Sequence, residues 1–294
     1  MKTRFCNVRR SISLIMIAFM LSSPAFAGLA KGIYLSQPTL ENTEYLNYLI
    51  KRAKKVGINT FIIDYERPST RYQRNIQLVK NNNITYVARV VIFPGGGTPE
   101  LVSSEPYREK KLKLIKQALA YGAQEIQLDY IRYNTKRKSP EHAKNIHNVI
   151  RWFKSRTAPT PLQIDVFGVS AFGESQWIGQ NIKMFSQSVD AICPMVYPSH
   201  YEPFRHHAVT PYETVYTSLM AIREQFNDGK VPAKLYPYIE LSNYRYPLSH
   251  EKKLAYIKAQ IKAVENAGAD GWYAWSANNL YDNLFYILEN NSVK

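Results

Sequence analysis

The chain has 294 residues, 45% of them hydrophobic, which is long and apolar enough to bury a sizeable core and excludes a disordered polymer. Its 38 Lys and Arg against 23 Asp and Glu give a formal charge of +15 at pH 7, a surplus that reads as a generally basic solvated surface or as suited to an anionic envelope polymer or an acidic polysaccharide as partner. Two cysteines exclude a disulfide framework, and no cysteine or histidine spacing of a metal-binding module occurs, so neither metal nor cofactor is expected.

Lys2, Arg4, Arg9 and Arg10 precede an apolar run from Leu14 to Leu21 and the small-residue triplet Ala25-Phe26-Ala27. That order reads as a secretory signal over residues 1–27, so the mature chain is expected to start near Gly28 and to be exported, periplasmic or secreted. The run falls short of the ~20 apolar residues of a stable membrane span. Cys6 would leave with this leader and Cys193 would stand alone in an apolar strand, where a cysteine is usually an inert hydrophobe. Outside the cytoplasm nucleic acid is not an expected partner, and Lys136-Arg137-Lys138 reads as a solvated loop.

Strand and helix alternate from there on. Gly32 to Leu35 is the first strand, Glu41 to Val56 an amphipathic helix closed by Gly57, and Thr60 to Asp64 the second strand. A short helix from Arg74 to Lys80 leads to a third strand, Thr85 to Phe93, and the isolated Gly95-Gly96-Gly97 turn. The helix from Pro106 to Tyr121 carries Leu112, Ile115 and Leu119 on one face and stops at Gly122. Glu125 to Asp129 is strand four, Pro140 to Arg156 a helix, Leu162 to Phe167 strand five, and Trp177 to Ser188 a short helix. Ala191 to Tyr197 is strand six, an apolar run that ends abruptly at Pro198 and projects Tyr197 and His200 into a loop. Helix Pro211 to Phe226, strand Lys234 to Glu240, helix Ser249 to Ala267, strand Gly271 to Trp275 and helix Asn279 to Glu289 complete the order. Eight strands alternating with helices favour one (β/α)8 TIM barrel over residues 28–294; an open doubly wound sheet would show a glycine-rich turn after its first strand, where Ser36-Gln37-Pro38-Thr39 stands instead.

Catalytic groups of such a barrel lie at the carboxyl ends of its strands. Those ends deliver Asp64, Arg89, Asp129, Asp165, Tyr197, His200, Glu240, Trp272 and Trp275, with Arg132 three residues beyond Asp129. Several carboxylates with aromatic faces at one mouth suit glycoside chemistry: one carboxyl protonates the leaving oxygen, another attacks or activates water, and aromatic rings stack on sugars. Each residue also has a plainer role. Asp129 or Asp165 could cap a helix or bridge to Arg89, and Trp272 and Trp275 could be core. His142, His147, His206, His207 and His250 read as surface residues, and His206-His207 lacks a third metal ligand.

The segments Glu125 to Tyr133, Asp165-Val166-Phe167-Gly168, Ile178-Gly179-Gln180, Pro194 to Tyr201 and Pro211-Tyr212-Glu213 resemble the putative glycoside hydrolase domain family, a bacterial domain of unknown function, from about Lys31 to Tyr281. The resemblance implies a TIM barrel related to the amylase-like glycosidases. Two places depart from the family pattern: Pro94-Gly95 stands where a lysine–aspartate pair follows strand three, and Tyr238-Ile239-Glu240 where strand seven carries a glutamine–aspartate pair. The expectation is an exported glycosidase acting on a poly- or oligosaccharide, with Asp129 as one catalytic carboxylate, Asp165 as the second and Glu240 as its alternative. Asp64, Arg89, Arg132, Tyr197, His200, Trp272 and Trp275 would bind substrate. The rival is a non-catalytic glycan-binding or envelope-associated barrel; a metal-dependent deacetylase lacks its ligand set.

Overall fold

The computed structural model describes residues 29–291; the expected leader lies outside them. The strands are β1 (Ala30–Leu35), β2 (Thr60–Asp64), β3 (Thr85–Val91), β4 (Glu125–Asp129), β5 (Leu162–Phe167), β6 (Ala191–Met195), the short β7 (Lys234–Leu235) and β8 (Tyr238–Glu240), and β9 (Gly271–Trp275). All pair in parallel, β1 through β6 in chain order, then through β7 and β8 to β9, which closes the ring on β1. β7 and β8 are two pieces of the one strand expected over 234–240. The break falls at Tyr236-Pro237, because proline has no N–H for the ladder. The Pro237 carbonyl still accepts from Tyr273 N at 2.9 Å, which keeps the wall closed. Eight barrel strands, one of them broken, form a single (β/α)8 barrel.

Side-chain alternation along each strand separates two apolar regions. Outward positions such as Ile33, Phe61, Ile63, Ala88, Leu128, Ile164, Ile192, Ile239 and Trp272 pack against the helices in the main core. Inward positions Ile62, Val87, Cys193, Tyr238 and Tyr273 fill the barrel itself. The helices present their apolar stripes to the outer layer: Leu46, Leu49, Ile50 and Ala53 from Thr43–Lys55, and Ile146, Val149, Ile150 and Phe153 from His142–Thr157. Side-chain caps fix several starts, with Asn42, Ser69, Ser104 and Ser249 each accepting an N–H of the first turn. Gly122, at φ +97°, ends the helix Glu105–Ala120 in the left-handed region that the expected stop requires.

One expected helix is mostly absent. Of the segment from Trp177 to Ser188 only Ile182–Phe185 is helical, because Ser175 and Gln180 form an isolated bridge that turns the preceding residues back on themselves.

Candidate active site

Inward parity brings Asp64 of β2, Arg89 of β3, Asp129 of β4 and Asp165 of β5 together at the carboxyl end of the barrel. The guanidinium of Arg89 is shared three ways. Nη1 is paired with Asp64, Nη2 with Asp129, and Nε lies 3.5 Å from Asp165 Oδ2. Tyr34, inward on β1, donates its hydroxyl to Asp64 Oδ2 at 2.5 Å and sets its ring 5.3 Å from the Arg89 carbon. Asp129 Oδ1 accepts from Tyr130 N at 2.5 Å. Tyr130 itself sits at φ +50°, a left-handed conformation that costs a non-glycine residue roughly 1–3 kcal/mol. Such strain at the end of β4 turns the chain sharply out of the barrel directly after the carboxylate.

One cation facing three buried carboxyls cannot balance them all, and Asp165 is the group that yields. Its burial, followed by the charge of Asp129, pushes its carboxyl well above the usual range, against the opposing pull of Arg89. Its Oδ1 has no hydrogen-bond partner among the described residues. Asp165 therefore favours its neutral form and keeps one oxygen uncommitted. Burial works against the charge on Arg89, but Asp129, Asp64 and Asp165 together outweigh it and hold the guanidinium protonated.

Above the cluster opens a cavity of about 290 Å³ whose lining includes Arg89, Asp129 and Asp165. One wall is aromatic. Tyr197 stacks on Trp275 with centroids 5.1 Å apart and planes 20° from parallel, while His200 meets both rings edge-on. Tyr244 extends this wall, 5.5 Å from Trp275. The lining also includes Phe167, Gly168, Val169 and Tyr201. The floor is neutral and polar: Tyr238 donates to Gln127 Oε1 at 2.9 Å, and Gln127 donates to Gln163 Oε1 at 3.0 Å. Such a site offers a proton donor, a carboxylate and flat rings within one pocket, the equipment that a sugar ring and its glycosidic oxygen require.

Seven of the ten residues singled out from the sequence meet here: Asp64, Arg89, Asp129, Asp165, Tyr197, His200 and Trp275. The plainer expectation that Asp129 and Asp165 bridge to Arg89 holds as well, and neither caps a helix. Three residues lie elsewhere. Glu240 is fully buried beneath the turn Pro198–His200, where Oε1 accepts from Ser199 N (2.7 Å) and Tyr256 OH (2.6 Å) and Oε2 accepts from Ser199 Oγ (2.8 Å). His200 Nδ1 lies 3.4 Å from Oε2, so Glu240 braces the His200 turn instead of facing the cavity. Trp272 points outward, being of the opposite parity to Trp275, and packs in the helix-facing core. Arg132 lies over Tyr130 and Phe167 and donates to Tyr133 O at 2.9 Å, outside the cavity.

Tyr34 and Tyr238 line the site without having been singled out. Strand parity was the signal that could have found them, because both alternate with outward aliphatics. Of the five histidines read as surface residues, one is buried. His142 is buried, stacks on Tyr133 at 3.8 Å and turns Nδ1 to the Gln176 carbonyl at 3.1 Å; His147 Nε2 meets Ser188 Oγ at 2.8 Å. Among the described residues no three His, Cys, Asp or Glu side chains converge to hold a metal ion.

A parallel barrel with an acidic, aromatic carboxyl-end pocket defines a domain of the glycosidase type. The chain belongs to the family described as "Putative glycosyl hydrolase domain", whose model matches residues 102–281. That span contains Asp129, Asp165 and the His200 turn; Asp64 and Arg89 precede it, so the family match begins later than the resemblance expected from Lys31. Solved structures share the fold. The Bacillus cereus spore cortex-lytic enzyme SleL aligns at TM-score 0.65 and 14% identity, over 90% of this chain and 74% of that one. A chitinase from Chromobacterium violaceum aligns at 0.61 and 11%, over 91% and 100%. The endo-β-1,4-mannanase of Thermotoga petrophila aligns at 0.62 and 12%, over 90% and 76%. No protein with a curated description matches the sequence significantly.

Proposed function

We propose that the chain is an exported glycoside hydrolase in which Asp165 is the general acid and Asp129 the nucleophile, residues 28–294 acting as one domain. The observation that carries the reading is the pairing of a neutral-favouring carboxyl, with one oxygen uncommitted, and a second carboxylate on the same guanidinium. Asp165 gives its proton to the glycosidic oxygen as the bond from that oxygen to the anomeric carbon breaks. An Asp129 oxygen bonds to the anomeric carbon. Asp165, now a carboxylate, takes a proton from water as the water oxygen displaces Asp129 from the sugar, which restores both groups. Arg89 keeps the two carboxyls in register, and the Tyr197–Trp275 wall with His200 receives a sugar face. The basic charge of the chain suits an anionic or envelope polysaccharide.

The test is reducing-end release from a panel of defined glycans, neutral, acidic and amino-sugar. Asp129→Asn is expected to lower turnover by about 10²–10⁴-fold while folding is preserved; full activity in that variant removes Asp129 from the mechanism. A second reading, a barrel that binds glycan without cleaving it, draws on the commitment of Asp64, Asp129 and Asp165 to Arg89. Retained binding with no release from any glycan by the folded wild-type protein selects it.

A further inference from the structure

Beyond the barrel mouth, the loop after β5 presents apolar side chains to solvent. Val169, Phe172 and Trp177 are 52%, 55% and 49% exposed, in a domain whose other large apolar groups are mostly buried. They line a shallow groove with Lys138 and Glu174, and Val169 also lines the catalytic cavity, so groove and cavity adjoin. This surface is braced. Ser139 N donates to Gln176 O (3.2 Å), Tyr133 N to Ile178 O (2.8 Å) and Ser175 N to Gln180 O (2.9 Å). His142, held against Tyr133, turns Nδ1 to the carbonyls of both Gln176 and Trp177. Gly179, at φ +65°, passes so close to His142 that a Cβ there would lie 2.7 Å from the His142 Cβ. The exposed tryptophan thus stands on two loops tied together, with little ordering left to be done when a ligand arrives.

The second of those loops carries Lys136, Arg137 and Lys138, all exposed and in no ion pair with a described residue. Two acids share the rim. Glu174 accepts from Asn181 Nδ2 at 2.9 Å, and the Glu100 carboxyl is lowered by its hydrogen bond with Thr98 and by Arg137. Lys138 stands in the groove beside the fixed indole, while Lys136 and Arg137, next to it on the same loop, line the neighbouring hollow with Thr98, Glu100 and Tyr133. A basic loop bordering an aromatic groove that adjoins the pocket suits a ring that carries a negative charge.

We propose that Trp177 and Phe172, with Lys138 in their groove and Lys136 and Arg137 on the adjoining stretch of its loop, form a distal subsite for a carboxylate-bearing glycan, so that the enzyme engages an anionic polymer across mouth and platform together. The proposal rests on the glycosidase reading for the polymer's direction across the mouth, while binding at the platform is measurable without turnover. Two polymers supply the chemistry: a uronate chain such as polygalacturonate, and peptide-free wall glycan strands with lactyl carboxylates. Each is compared with its methyl-esterified form for binding to the full-length mature protein by calorimetry. At about 0.05 M salt at least one anionic polymer is expected to bind about tenfold more tightly than its ester, and the difference to shrink at about 0.5 M. The polymer that shows the preference identifies the source. Replacing all three cations with Gln should abolish the preference, and Trp177→Ala should weaken polymer binding about tenfold. Hydrolysis of a short aryl glycoside that fills only the mouth is expected to be the same in both platform variants, which circular dichroism confirms as folded. Equal binding of both polymers and their esters, or platform variants that bind polymer like the wild type, overturns the proposal. Charge-selective binding that survives in Asp129→Asn while aryl glycoside turnover is unchanged by that substitution overturns the catalytic assignment alone.

Discussion

Replacing Asp165 with Asn tests the electrostatics of the site apart from its chemistry. The amide has nearly the same shape, and the only hydrogen-bond donor it must face is Arg89 Nε at 3.5 Å, since Oδ1 has no partner among the described residues. The wild-type carboxyl, by contrast, is raised by burial and by the charge of Asp129. A group whose folded pKa lies above its unfolded value contributes stability that is complete below the unfolded value, about 3.9, and is lost as pH rises through the folded value. Between those limits one proton changes the unfolding free energy by at most about 1.4 kcal/mol per pH unit. The wild type should therefore lose stability relative to Asp165→Asn as pH climbs from about 4, the gap ceasing to widen once pH passes the folded value. Urea unfolding of both proteins in steps of pH measures the difference directly. A difference that stays flat, or one in which the wild type gains on the variant as pH rises, shows that the carboxyl is not raised and removes Asp165 as the resident acid. In the same variant, glycan turnover should fall by about 10²–10⁴-fold.

Arg89→Met should be the most damaging single change at the site, because it leaves three carboxyls without their cation; a loss of about 3–5 kcal/mol by urea unfolding is expected. Hydrolysis with Asp129 as nucleophile proceeds by two displacements and should retain the anomeric configuration; NMR of the first-formed sugar decides. The two strand-nine tryptophans should separate cleanly. Trp275→Ala raises KM through the loss of the Tyr197-stacked wall, whereas Trp272→Phe leaves kcat and KM unchanged and lowers stability by about 1–3 kcal/mol; a KM change in Trp272→Phe would contradict its outward parity.

Most of the barrel was legible because its signals are local. Strands four and five were expected at Glu125–Asp129 and Leu162–Phe167 and occupy those residues, each a short apolar run bounded by turn chemistry. What failed depends on long-range pairing. Pro237 could be read as a strand breaker, but the carbonyl bond to Tyr273 that keeps the wall closed joins residues brought together only by the ring. The segment from Trp177 to Ser188 has helix-compatible residues, and its turn back at Ser175 and Gln180 is secured by contacts to the loop at 133–142. Among the site residues, Asp64, Asp129 and Asp165 were placed well because a strand's carboxyl end is visible in sequence. Glu240 and Trp272 were misplaced for different reasons. Trp272 differs from Trp275 by an odd number of positions, so counting alternate residues sends it outward. Glu240 has inward parity, yet Ser199 and Tyr256, distant in sequence, supply enough donors to draw its carboxylate under the His200 turn.

The shared guanidinium explains why the same residues satisfy both the structural and the chemical expectation. Without Arg89, the three carboxyls on β2, β4 and β5 would repel one another in their ionised forms. With it, strands two to five are joined by one group, and the charge left unbalanced falls on the most buried member. Asp64, the outer of the three, already has a neutral donor in the Tyr34 hydroxyl. Asp129 has the Tyr130 N–H. Asp165 alone has an oxygen without such a donor, and a proton is the remaining way to stabilise it in a pocket of low polarity. The arrangement that joins strands two to five at the mouth is thus the same one that leaves one carboxyl favouring its proton.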